Sequence, residues 1–259
     1  MVDRAMPPAT LPIYYINLAS RPDRRDHMVD GLRQLGLVGE RIDAVTRDRV
    51  PSALHTGVPP SYVASRLSHM SAWQRLVESG APAAIVLEDD VVFAPTFVDF
   101  IDPAATALGA DLIKLETYRR RILMGATARS VGAGSRVCEL QSSHFGAAAY
   151  LISADAARRA LAEPSLSRLH TDRFLFGRGG PHLLRRRVLQ ADPAPCIQLM
   201  KAKGHAHNAT AGSDLAASKD RTTHSPVAHA DHFARLVGLA LRDPAALVRR
   251  RRVVPFAGD

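Results

Sequence analysis

The sequence predicts an α/β chain, built as a mostly parallel sheet flanked by helices. Three observations carry that expectation. Short runs rich in branched and aromatic residues alternate with longer stretches of helical period. The run "AAIVL" (Ala83 to Leu87) is continuously apolar, as in a strand covered on both faces of a parallel sheet. With 259 residues, 46% of them hydrophobic and 23% charged, the chain can bury a sizeable core in one large domain or two small ones.

Taken in order, "LPIYYINL" (Leu11 to Leu18) reads as the first strand. "RPDRRDHMVDGLRQLG" follows as a helix: Pro22 suits its first position, Met28, Leu32 and Leu35 recur at helical spacing, and Gly36 suits its end. "RIDAV" is a short second strand, and residues 47–60, with three prolines, form a loop. A longer helix runs from about Ser61 to Glu78, with Val63, Leu67, Met70, Gln74 and Val77 along one stripe; Gly80 and Pro82 end it. After the strand "AAIVL" come a helix near Thr96 to Leu108 and the strand "DLIKLE". Residues 117–140 give no clear pattern. "FGAAAYLIS" is another strand, Ser153 caps the helix "ADAARRALAE", and "RRVLQADPAPCIQ" holds a last short strand. The expected organisation is a main domain over 1–200, a polar linker over 201–228 and a basic amphipathic helical tail over 229–259.

Composition narrows the function. Cys138 and Cys196 make neither a zinc site nor a disulfide framework, and without a secretion signal they read as free thiols. No apolar run approaches the length of a membrane span, and the first residues lack a signal peptide's pattern, so the expected location is cytoplasmic. The formal charge is +9, with arginine runs at Arg119 to Arg121, Arg185 to Arg187 and Arg249 to Arg252, which favours polyanionic neighbours. Nucleic acid is not the expected one, since no zinc-finger or ribonucleoprotein pattern is present and aromatics are only 5%. The tail mixes leucine and valine with arginine. It could lie peripherally on an anionic membrane surface, or Phe233, Leu236, Val237 and Leu241 could pack on the main domain.

Three constellations could carry chemistry. The first is Glu88-Asp89-Asp90, directly after the buried strand. Alternation would turn Glu88 and Asp90 one way and Asp89 the other. Ligands of open α/β sheets bind beyond the carboxyl ends of strands, and two hard oxygen donors there suit Mn²⁺ or Mg²⁺ shared with substrate phosphates. The alternative is a solvated strand end paired with arginines. The second is "INLASRPDRR", where Asn17 ends a strand and Arg21, Arg24 and Arg25 crowd a helix start that could hold an anion, or form a solvated basic face. The third is His69, which shares a helix face with Tyr62, Arg66, Trp73 and Leu76, either a polar pocket wall or a packed surface with one satisfied histidine. "GAGSRV" lacks the third glycine of a dinucleotide fingerprint, and "HAH" has no spaced partners for zinc.

The segments "YYINLASRPDRRDHM", "LSHMSAWQRLVESGAPAAIVLEDDVVF", "DLIKLE" and "AAAYLISADAARRAL", with "HTDRFLF" and "PAPCIQ" more weakly, resemble glycosyltransferase family 25 over roughly residues 12–200. The chain departs from the family's usual pattern at Ala64-Ser65, at Thr46-Arg47 and at His170-Thr171-Asp172. The resemblance implies a GT-A-like (Rossmann-like) fold and an inverting transfer of a hexose, galactose first, from a UDP-sugar to a lipopolysaccharide or other glycan, including a lipid-linked acceptor. It implies Glu88 and Asp90 at a divalent metal, Asn17, Arg21, Arg24, His69 and Asp89 at the donor, and Asp172 as the base. The alternative from another class is a non-catalytic basic protein of the same fold that binds anionic membrane or nucleic acid.

Overall fold

The structure, a computed structural model, describes residues 10–54, 58–132, 134–177, 187–202, 243–247 and 250–259. Of the linker and tail expected over 201–259, residues 203–242 and 248–249 therefore lie outside the described set, and with them Phe233, Leu236, Val237 and Leu241. The chain opens with β1 (Ile13–Asn17), α1 (Pro22–Gln34), β2 (Glu40–Asp43), α2 (Pro60–Ser79) and β3 (Ala83–Glu88). Proline occupies the first helical turn of both helices, where its missing N–H costs nothing. Gly80 ends α2 in the left-handed conformation at φ 70°, which only a residue without Cβ adopts cheaply.

An eight-stranded sheet forms the centre. Its order is β2, β1, β3, β10 (Ala149–Ser153), β5 (Leu112–Lys114), β11 (Val188–Ala191), β9 (Ser135–Leu140), β8 (Met124–Val131). The expectation of a mostly parallel sheet is corrected: it is mixed. β1 is parallel to both β2 and β3, and β11 to β5, but β10 runs antiparallel to β3 and to β5. β8 and β9 form an antiparallel hairpin from the unassigned stretch and close the far edge against β11. The physical reason is that β10 is covered on both faces, so its apolar run carries no sign of direction.

Alternation along the central strands splits the core. Tyr14, Ile16, Val86, Tyr150 and Ile152 face α2, α3 (Ala154–Ala162) and α4 (Thr171–Phe176) together with Trp73 and Leu76. Ile13, Tyr15, Ile85, Leu87 and Leu151 face the other way, onto Met28 and Leu32 of α1. Each such large side chain, fully buried, contributes about 1.5–3 kcal/mol. Phe97 and Phe100 complete this second layer from a 3₁₀ segment, Pro95–Phe100, which a second one, Pro103–Leu108, follows. A continuous helix was expected there. Pro103 cannot donate to a preceding turn and pushes Asp102 out of helical geometry, so the segment divides.

Three strands outrun the main sheet and pair again. β3 continues through Asp89 and Asp90 into β4 (Val91–Phe93), β5 through Leu115 into β6 (Glu116–Thr117), and β11 through residues 192–195 into β12 (Cys196–Gln198). These extensions make a second sheet, ordered β4, β12, β6. The last residues return onto it. β13 (Arg252–Val253) pairs with β7 (Arg121–Ile122), Thr117 Oγ1 donates to the Val254 carbonyl at 2.7 Å, and Val254 and Phe256 are buried. Arg119 grips Asp259 at 2.6 and 2.7 Å. This pairing brings parts of two of the sequence's arginine runs side by side. No helix among the described residues is long and apolar enough to cross a membrane.

Ser153 accepts the Ala156 N–H at 3.1 Å and caps α3, the helix attached directly to β10. Ser153→Ala is expected to lower stability by about 1 kcal/mol in urea unfolding, with the far-ultraviolet spectrum unchanged.

Candidate active site

The carboxyl ends of β1, β3, β5 and β11 point to one edge of the main sheet, and the beginning of β10 arrives among them. Asn17 and Glu88 therefore end neighbouring strands, with Lys114 on β5 beyond the intervening β10, and the Ala148 carbonyl accepts the Glu88 N–H at 2.8 Å. The acids occupy the seam where β3 leaves one sheet and enters the other.

Glu88 turns to the α2 side and Asp89 to the α1 side. Asp89 is buried and satisfied: it accepts from Asn17 Nδ2 at 2.7 Å and from Arg24 Nη1 at 2.9 Å. Asn17 also donates to the Arg21 carbonyl at 3.0 Å and accepts from Arg41 at 3.0 Å. This network ties the ends of β1, β2 and β3 to the first turn of α1. Arg21 itself holds Asp23 through two hydrogen bonds, which keep the Asp23 carboxyl down at about 2.

Glu88 and Asp90 are differently placed. Gln198 Nε2 lies 3.4 Å from Glu88 Oε2 and 3.5 Å from Asp90 Oδ1, so one amide spans both acids. The Asp90 carboxyl is pushed up to about 7, first by burial and then by the charge of Glu88, with Arg24 pulling the other way. Two oxygen donors that repel each other in a buried seam fit a hard divalent cation whose remaining shell comes from water and phosphate. Among the described residues no group of three or more His, Cys, Asp or Glu is arranged to hold a metal, so the protein's own share there would be two ligands.

His69 ends a buried chain. Its Nε2 lies 3.4 Å from Glu88 Oε1 and its Nδ1 2.9 Å from the Tyr150 hydroxyl, which accepts the Trp73 indole N–H at 2.8 Å. A carboxylate only accepts, so Nε2 carries hydrogen. In the neutral ring Nδ1 then takes the Tyr150 hydroxyl proton. The order of donation is Trp73 to Tyr150 to His69 to Glu88. The histidine face of α2 is thus a packed surface, with Arg66, His69, Trp73 and Leu76 all buried, and it touches the acids through His69.

Asp172, in the first turn of α4, accepts the Gly146 N–H at 3.1 Å and its neighbour Arg173's N–H at 2.7 Å. Gly146 has φ 93°, and a Cβ there would lie 2.3 Å from the Tyr118 ring and 2.8 Å from Glu116 Oε1. That close approach brings Asp172, Tyr118 and Glu116 to one corner. Burial, then the charges of Glu116, Glu88, Asp90 and Asp172, hold the Tyr118 hydroxyl far above its ordinary pKa.

Five site-lining residues escaped the sequence reading. Lys114 and Glu116 are fully buried and meet at 2.8 Å; Lys114 also donates to the Gly146 carbonyl at 2.5 Å and lies over the Phe176 ring. Their signal was present in "DLIKLE": two opposite charges two residues apart, on one face of an otherwise apolar strand. Tyr118, His144 and Gln198 had no such signal. His144 is buried, bonded to Gln190 at 2.7 Å, and its pKa is lowered to about 3 by burial and then by the charge of Lys114. Cys138 and Cys196 are free and buried; Cys196 stands beside Glu116 in the second sheet, and burial, then the Glu116 charge, push its thiol pKa up.

The family model described as glycosyltransferase family 25 (LPS biosynthesis protein) matches residues 10–175. The chain is 29% identical over 221 residues to the lacto-N-neotetraose biosynthesis glycosyltransferase LgtB of Neisseria meningitidis serogroup A, covering 77% of this chain and 79% of that one. It is 24% identical to the lipooligosaccharide biosynthesis protein lic2B of Haemophilus influenzae, covering 71% and 75%. It is 29% identical to the inactive glycosyltransferase 25 family member 3 of Homo sapiens, covering 63% of this chain and 31% of that protein.

The acids should separate by their partners. Asp89→Ala strips the carboxylate from a nearly buried Arg24 and is expected to cost about 3–5 kcal/mol of stability. Glu88→Gln relieves repulsion and should leave the melting temperature equal or higher. Calorimetry of both variants checks the contrast. His144 binds its proton more weakly folded than unfolded, so the unfolded chain takes up more protons between pH 6.5 and about 3. Its contribution is complete above pH 6.5 and is lost as pH falls through that window. Asp90, raised in the fold, has the opposite sign. The difference between wild type and His144→Gln in stability against pH isolates the histidine, and the variant should lose less stability on acidification.

Proposed function

The chain belongs to glycosyltransferase family 25, the family of LPS biosynthesis proteins, and from that premise we propose that it is a metal-dependent hexosyltransferase. The proposed donor is a UDP-sugar, UDP-galactose first, and the acceptor a lipopolysaccharide or related glycan carried on a lipid at an anionic membrane surface. In this reading the core is a GT-A-like arrangement, and transfer inverts the anomeric carbon. The observation that carries it is the Glu88–Asp90 pair, bridged by a neutral amide at the seam of two sheets.

Each residue then has a task. Glu88 and Asp90 hold Mn²⁺ or Mg²⁺, which supplies Lewis-acid stabilisation of the charge on the departing diphosphate. Arg21, whose partner Asp23 is exposed and readily exchanged, turns to the diphosphate at the start of α1. Asn17, Asp89 and Arg24 keep that helix start against the strand ends. His69 orients Glu88 through the buried chain that ends at Trp73. Asp172 accepts the proton of the attacking acceptor hydroxyl. Its two backbone N–H partners fix the carboxylate's direction.

A non-catalytic role has one observation in its favour, the similarity to a human relative named as inactive. One assay separates the two. The full chain, incubated with a panel of UDP-sugars and Mn²⁺, should hydrolyse its donor slowly and lose that activity with chelator. Changing both Glu88 and Asp90 to alanine should abolish it without unfolding the protein. Hydrolysis of no donor by a folded, metal-supplied protein would sink the enzymatic reading.

A further inference from the structure

Gln198 is held at the backbone and, at its tip, on the carbonyl side only. β12 pairs antiparallel with β4, opposing Gln198 to Val91, and the Leu199 N–H donates to the Asp90 carbonyl at 2.7 Å. The side-chain amide therefore projects at the acids from a fixed base. Its Nε2 contacts, 3.4 and 3.5 Å, lie at the long end of the hydrogen-bond range and are weak. Its Oε1, by contrast, accepts a short hydrogen bond from the Tyr118 hydroxyl.

These neighbours decide which way the amide faces. Ionised carboxylates only accept, so they select the N–H side, while a phenol can give its proton to the carbonyl side. The result is a partial positive charge, the amide N–H group, between two carboxylates. The acids disfavour the reverse orientation, in which the carbonyl oxygen would face inward and could serve a cation as a third ligand, and Tyr118 supports the observed one by donating to Oε1. Resting on the reading that Glu88 and Asp90 take a divalent metal, we propose that Gln198 is the chain's own stand-in for that cation, held N–H inward by the acids with the support of Tyr118 and displaced when the metal enters.

Gln198 thereby sets how tightly the cation is held. It quiets the repulsion of the acid pair when no metal is bound, and it competes with the ion. Tyr118 is a positioning residue that acts through it. A site so arranged favours loading by metal that arrives with a diphosphate over loading by free metal, because the diphosphate adds ligands that the amide cannot displace.

The test is Mn²⁺ titration of the full chain without nucleotide, by calorimetry and by the electron paramagnetic resonance signal of free Mn²⁺. Wild type, Tyr118→Phe, Gln198→Ala and Glu88→Gln are compared, with thermal melts in chelator. Tyr118→Phe and Gln198→Ala should each bind Mn²⁺ about fivefold more tightly than wild type, the equivalent of roughly one ordinary hydrogen bond. Glu88→Gln should bind it least. Equal or weaker binding in Tyr118→Phe and Gln198→Ala, with wild-type binding that Glu88→Gln removes, overturns the stand-in and leaves the metal reading intact. Absence of Mn²⁺ binding by folded wild type overturns both. If Gln198→Ala melts early, Tyr118→Phe decides alone, since it removes one oxygen and keeps the ring.

Discussion

Carboxylate crowding governs this structure. Glu88, Asp89, Asp90, Glu116 and Asp172 gather where three strands cross from one sheet to another, and each raises the cost of the next. The fold answers with a different partner for each. Asp89 has a guanidinium and an amide, Glu116 an ammonium and the Ala148 N–H, Asp172 two backbone N–H groups. Glu88 and Asp90 receive only long contacts from an imidazole and an amide. The unequal compensation distinguishes acids that build the seam from acids that the seam presents.

The seam needs strands that keep their direction across it. β3, β5 and β11 are neighbours or near-neighbours in the main sheet, and β4, β12 and β6 re-pair them in a new order. The connecting residues cannot be regular strand, because a single sheet cannot hold both orders. Asp89 and Asp90 are such connecting residues, and so is Leu115. Irregular backbone is where a buried chain can turn two adjacent side chains into different surroundings, one toward Arg24 and one toward Gln198.

The sequence made β1, α1, β3 and α3 legible because period, proline at helix starts and the Ser153 cap agree with the final packing. It misled on α2. Counting apolar residues selects the stripe Val63, Leu67, Met70, Gln74 and Val77, yet the face centred on His69, Trp73 and Leu76 is the more deeply buried one. That face hides a histidine and an arginine with partners of their own, which hydrophobicity alone ranks as surface. The hairpin of β8 and β9 was illegible for a related reason: "MGATARSV" has exposed residues through its middle and a register shift before Ala128. In the site, the acid triplet was legible because it is local. Gln198 was not, because it reaches Asp90 from 108 residues away through strand pairing.

The return of the last residues onto the second sheet sets an order of assembly. The Thr117–Val254 hydrogen bond closes a loop of 137 residues, and β7 must wait for β13. Contacts so distant in sequence form late, after the loops between them have paid their closure entropy. On a ribosome, where the chain emerges from its N-terminal end, the main sheet can reach β11 while the outer side of the second sheet is still bare. Phe256 then joins Ala94 and Ile197, so the second sheet gains this apolar cover only after the strands of the main sheet have paired.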